Sequence, residues 1–239
     1  ASLEGECIMG ALQGGRYRFS KARRDINYSR ARAEALLQKA LPLMDIYRGK
    51  SEGAYHAFRM RDAREPGNRR AILTAPPLHT LTPELLRRLL ERGGASPAAR
   101  AAVLESHAQS RALVAELLAH GAYHETYPAL SRAEFEASPV ALALSEQLCD
   151  SDISYDYETY RQHLRLTREF AQAHEGYACS VTGRPALNHI QIHMREGKWA
   201  AVTKCKAPAI HFVMRHPRLC AAIANMTLPV VEAGALDGE

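Results

Sequence analysis

None of the 239 residues forms a glycine-rich phosphate loop, a nucleophile elbow or a kinase signature. The common routes to phosphoryl transfer and serine hydrolysis are therefore not written in the chain. Its five cysteines, Cys7, Cys149, Cys179, Cys205 and Cys220, are odd in number and nowhere form a C-x-x-C pair. That argues against a disulfide framework and points to reduced thiols in a cytoplasmic protein. No apolar run approaches the roughly 20 residues that span a bilayer, and no basic-then-apolar signal opens the chain, so neither secretion nor a membrane partner is expected. The chain begins at Ala1 rather than Met, which leaves room for an upstream domain.

Hydrophobic residues make up 46% of the chain, enough to bury a substantial core. The net charge of +5 favours anionic partners, although it is modest for a nucleic-acid module. Much of the excess lies early. Arg16, Arg18, Lys21, Arg23, Arg24, Arg30 and Arg32 face only Asp25. A solvated linker accounts for this cluster more simply than a phosphate-binding arm does; an arm would use Arg16, Arg18, Lys21, Arg23 and Arg24.

Residues 1–27 carry four glycines and no sustained periodicity, and read as a basic linker or arm. Residues 29–47 repeat apolar positions at helical spacing. Strands are expected at 55–60 and 70–74. Thr82-Pro83 and Ser96-Pro97 each combine a cap with proline at the first helical position, opening helices that end at Gly93-Gly94 and Gly121. The stretch 85–104 resembles a helix-turn-helix superficially. Its second helix is mostly alanine and too long, so it reads as an ordinary αα-hairpin. Further helices are expected around 130–137, from Ser138-Pro139 to Cys149, and over 157–173. A strand at 177–181, a hairpin after Asn188, a strand at 210–214 and a helix from Pro217 follow.

The expected fold is α+β: a helix-rich lobe over 28–150 and a helix-plus-antiparallel-sheet lobe over 151–239, two small lobes joined by a helical middle section. The two ends look alike. Glu52-Gly53-Ala54-Tyr55 corresponds to Glu175-Gly176-Tyr177, and Ala71-Ile72-Leu73 to Ala209-Ile210-His211, as an internal duplication would produce.

Residues 188–226 gather histidine and basic charge. Asn188, Gln191, His193, Lys198, Lys204 and Lys206 alternate with Ile190, Ile192, Trp199, Ala201 and Val202, suggesting a hairpin with one apolar and one cationic face. Such a face can hold a small anion through His189, Gln191, His193, Trp199, Lys204, His211 and Arg215. The simpler reading makes Trp199 core and the lysines solvated edge residues. The histidines can also be read as a metal site or as a general acid and base on a phosphodiester. No carboxylate or cysteine completes a metal spacing, and no metal or cofactor is expected.

The segment KCKAPAIHFVMRHPRLCAAIANM resembles the C-terminal end of bacterial Cro/repressor-type (XRE-family) transcriptional regulators, where a strand with a similar His-Phe-Val-x-Arg-His-Pro pattern precedes a short helix. The resemblance implies a non-catalytic effector-sensing or oligomerising domain, working as a homodimer. DNA would then be contacted only through an upstream helix-turn-helix domain. The rivals are a phosphodiesterase-like or metal-dependent enzyme using the histidines, and direct nucleic-acid binding through the basic arm.

Overall fold

The computed structural model describes residues 41–48, 52–137, 153–182, 190–205 and 209–225, together with Arg32, Ala35, Gln38, Lys39 and Thr227. It shows the α+β class. Seven strands form one mixed sheet: β1 (Met44–Arg48), β2 (Arg69–Ile72), β3 (Tyr123–Pro128), β4 (Tyr177–Thr182), β5 (Ile190–Arg195), β6 (Trp199–Lys204) and β7 (Ile210–Met214). Their spatial order is β1-β7-β6-β5-β2-β3-β4. Strands β2, β3 and β4 run parallel, and every other pairing is antiparallel. Strands from both predicted lobes thus join in this one sheet: β1 pairs with β7, and β2 with β5.

Helix α1 (Glu52–Ala63) and the long helices α3 (Pro97–His120) and α5 (Tyr157–Ala173) cover one face. Helix α2 (Pro83–Arg92) forms an αα-hairpin with α3, and the short α4 (Arg132–Ala137) packs beside α5. The predicted caps are in place: Leu85 N donates to Thr82 Oγ1 at 3.2 Å and Ala99 N to Ser96 Oγ at 3.2 Å. On the other face, α6 (217–225) packs Leu219, Cys220 and Ile223 onto Ile190, Ile192, Met194, Val202 and Met214.

Four sequence expectations change. Of the helix expected over 29–47, the described Arg32, Ala35, Gln38 and Lys39 are helical, but it ends before a 3-10 turn at Leu41–Leu43 and strand β1. Pro42 lacks the amide a continuing helix needs. Residues 55–60 are helical, part of α1, and not a strand. The first half of the proposed duplication therefore pairs a helix with strand β4. Strand β3 had no counterpart in the sequence reading. Lastly, the hairpin has no open cationic face, because α1 covers one side and α6 the other. Its register places Trp199 and Ala201 on the side of Gln191 and His193, opposite Ile192 and Val202. The expected helix from Ser138 to Cys149 lies outside the described residues.

Candidate anion site

In a paired sheet, residues directly opposite one another share a face. Across the face under α1 one row reads Val213, Ala201, His193, Ala71, Glu125 and Cys179. Its neighbour reads His211, Thr203, Gln191. Alanines on both sides of His193 leave room above the strands. Into this room α1 projects Arg59, whose burial is nearly complete at 7% exposure.

A buried guanidinium is costly unless an anion and several acceptors meet it. Neighbouring arginines satisfy that condition. Arg69 donates to one carboxylate oxygen of Asp62 at 3.1 Å and to the carbonyls of Asp62, Glu65 and Gly67. Arg195 reaches the other Asp62 oxygen at 3.0 Å and Pro66 O at 2.8 Å. Trp199 Nε1 also donates to Asp62, at 2.7 Å. Asp62 is thus fully engaged by two arginines and an indole. Arg59 bonds the phenol of Tyr55 from Nη1 at 3.3 Å and also engages the phenol of Tyr123, and its guanidinium lies 5.7 Å from the Trp199 ring centroid.

The second buried carboxylate, Glu125 on β3, is also committed. It accepts from Tyr123 Oη at 2.7 Å and Tyr177 Oη at 2.6 Å, and it meets His79 Nε2 at 2.9 Å. Burial alone pushes its carboxyl up, but His79 and these hydrogen bonds outweigh burial and hold it below the ordinary value. Burial, and next the Glu125 charge, push the Tyr123 phenol well up, so it keeps its proton and donates it to Glu125. His79 sits on a turn held by two further histidines: His107 Nε2 bonds Leu81 O and His163 Nε2 bonds Pro77 O, each at 2.9 Å. Burial lowers His163 to about 4, leaving it neutral.

Around Arg59 stand groups with capacity to spare. His193 Nδ1 is buried with no hydrogen-bond partner among the described residues. His211 bonds Thr203 Oγ1 through Nδ1 at 3.0 Å and stacks on Tyr55 with ring centroids 3.9 Å apart. Burial, followed by the Arg59 charge, lowers both imidazoles, His211 to about 4 and His193 well below its ordinary value. Tyr55, Gln191, His193 and His211 are half-buried, so a partly open ring surrounds a deeply buried cation. Gln191 and His211 lie near the edge where the parallel strands end, the usual location of ligand sites in such sheets.

Of the residues singled out from sequence, Gln191, His193, Trp199 and His211 share this face. Trp199 is 4% exposed and serves the core, as the simpler reading has it. Lys204 stands on the opposite face, paired across from Ile190. Arg215 is committed to Asp45 at 2.6 Å and lies over Phe58. His189 and the cluster Arg16, Arg18, Lys21, Arg23 and Arg24 lie outside the described residues. Arg59 was missed because its segment read as a strand. Glu125 and Tyr123 were missed because Tyr-His-Glu-Thr-Tyr-Pro reads as polar loop. The Tyr-x-Glu-x-Tyr alternation was the available signal.

Among the described residues no three His, Cys, Asp or Glu side chains come together to hold a metal ion, and no helix is long and apolar enough to cross a membrane. Comparison with known proteins finds no matching family, no matching curated protein and no matching solved structure.

Proposed function

We propose that this chain is a binding domain for a small anionic ligand, seated on Arg59 within the ring of Tyr55, Gln191, His193 and His211. The observation that carries the reading is a buried guanidinium that hydrogen-bonds no carboxylate among the described residues, although the charge of nearby Asp62 favours its charged form. Three buried or nearly buried guanidiniums, Arg59, Arg69 and Arg195, face two carboxylates, Asp62 and Glu125. Both carboxylates are saturated by other donors. A bound anion supplies the missing charge and the acceptors that Arg59 lacks.

A sensing role fits the same arrangement. The ligand would touch α1 and the sheet together, and so would favour one seating of α1 over another. The resemblance of residues 204–226 to a regulator's C-terminal end points the same way. In this fold those residues supply β7, at the heart of the antiparallel half, and α6 beneath it.

The test is thermal unfolding with a panel of phosphates, nucleotides, carboxylates and sulfates, on the wild-type chain and on Arg59→Met. A ligand that raises the melting temperature of the wild type should leave Arg59→Met unmoved. Methionine removes a buried charge while keeping most of the volume, so the unliganded variant should be at least as stable as the wild type, by up to about 2 kcal/mol. If no anion shifts the wild type, or if Arg59→Met responds equally, the reading is wrong.

A further inference from the structure

Resting on the anion site just described, we infer that its ligand carries a phosphate monoester, bound as the dianion between Arg59, His193 and His211. Donor geometry is the first support. Arg59 comes from α1, His193 from β5 and His211 from β7, so the donors converge from three separate elements. A tetrahedral phosphate offers oxygens in three directions; a planar carboxylate offers two in one plane. The buried Nδ1 of His193, without a partner among the described residues, is one ready donor, and the five N–H groups of the guanidinium leave donors beyond those engaged with Tyr55 and Tyr123.

Charge is the second support. The site holds one fixed surplus positive charge, enough for a monoanion. A dianion brings one more negative charge, and the pair of imidazoles can answer it by taking up one proton. They are neutral in the empty site because burial and then Arg59 disfavour their charged forms. A phosphate beside them reverses the second of these effects. The charged and titratable groups that share their surroundings are Arg59, Tyr55, Asp62, Tyr123 and Glu125, with Tyr47 across from His211 on β1 and, beyond it, the Asp45–Arg215 pair. Asp62 and Glu125 are tied up elsewhere, and neither imidazole has a carboxylate partner of its own among the described residues.

Titration calorimetry with phenyl phosphate, phenyl sulfate and benzoate tests this, each run at pH 7.5 in two buffers of different ionisation enthalpy. These probes share the ring and differ in shape and charge. Phenyl phosphate should bind at least tenfold more tightly than either monoanion, with net uptake of between half a proton and one proton. His193→Gln and His211→Asn should each reduce that uptake, with folding checked by circular dichroism; if one variant does not fold, the other and the buffer comparison on the wild type still decide. Equal or tighter binding of benzoate, or phosphate binding without proton uptake, overturns the inference while leaving an anion site. Failure of all three probes and of the wider panel overturns the anion site as well.

Discussion

At the scale of single residues, Glu125 is the group on which the buried polar network depends. It accepts hydrogen bonds from two phenols and meets His79, all within 2.9 Å. Glu125→Gln keeps the shape but turns one acceptor into an amide donor facing donors. The charge that offsets the nearby cations disappears as well. We expect a loss of about 2–4 kcal/mol, read as a lower urea midpoint with an unchanged slope. A midpoint within 0.5 kcal/mol of wild type, as typical for an inconsequential surface change, would show that the network is dispensable. Contrast Arg59: its removal should cost little stability, because among the described residues it hydrogen-bonds phenols and no carboxylate. A residue that is expensive to keep and cheap to remove points to a use outside the fold.

At the scale of elements, helices were legible wherever a cap, a proline or a glycine punctuated them. The start signals at Thr82-Pro83 and Ser96-Pro97, and the amphipathic 157–173, correspond to α2, α3 and α5. Strand β3 was not legible. Its buried face carries Tyr123, Glu125 and Tyr127 in place of aliphatic residues, so the apolar run expected of a strand buried between parallel neighbours is missing. Elements that carry the polar site break the local rules that make other elements readable. Joints between elements are equally silent in sequence. Gly121, which closes α3 before β3, packs against the turn before β2: a Cβ there would meet the carbonyl of Gly67, whose carbon would be 2.7 Å away. The obstacle is backbone, which cannot swing aside. Gly121→Ala should therefore cost about 2–3 kcal/mol by overpacking, against the small gain that Gly→Ala gives at open sites. A denaturation midpoint at or above wild type would refute that close approach.

At the scale of the whole molecule, stability should depend on pH through the buried histidines. His163 is fully buried, with its folded value lowered to about 4 by burial. In the unfolded chain a histidine takes its proton near pH 6.5. Between these values the unfolded state binds more protons than the folded one, so acidification favours unfolding. Stability should be level above pH 7 and fall as pH drops from 6.5 towards 4, with roughly 1 kcal/mol lost at pH 5.5 through His163 alone. Urea unfolding at pH 7.5 and 5.5 measures this; His163→Gln should flatten the slope, and an unchanged slope in that variant would place the effect elsewhere. Saturating anion at the Arg59 site should raise stability across the same range.

Composition and local pattern were enough to establish an α+β protein with capped helices, a terminal hairpin and strand, and no span for a bilayer. These follow from interactions between residues a few positions apart, which any reading of the chain can see. The joining of strands from both ends into one sheet, the placing of Arg59 beside His193, and the commitment of Asp62 to Arg195 and Trp199 depend on contacts more than a hundred residues apart. Only packing brings such partners together. Whether a buried charge is already answered depends on all its neighbours in space, and for that reason the histidines were visible in the sequence while the cation they surround was not.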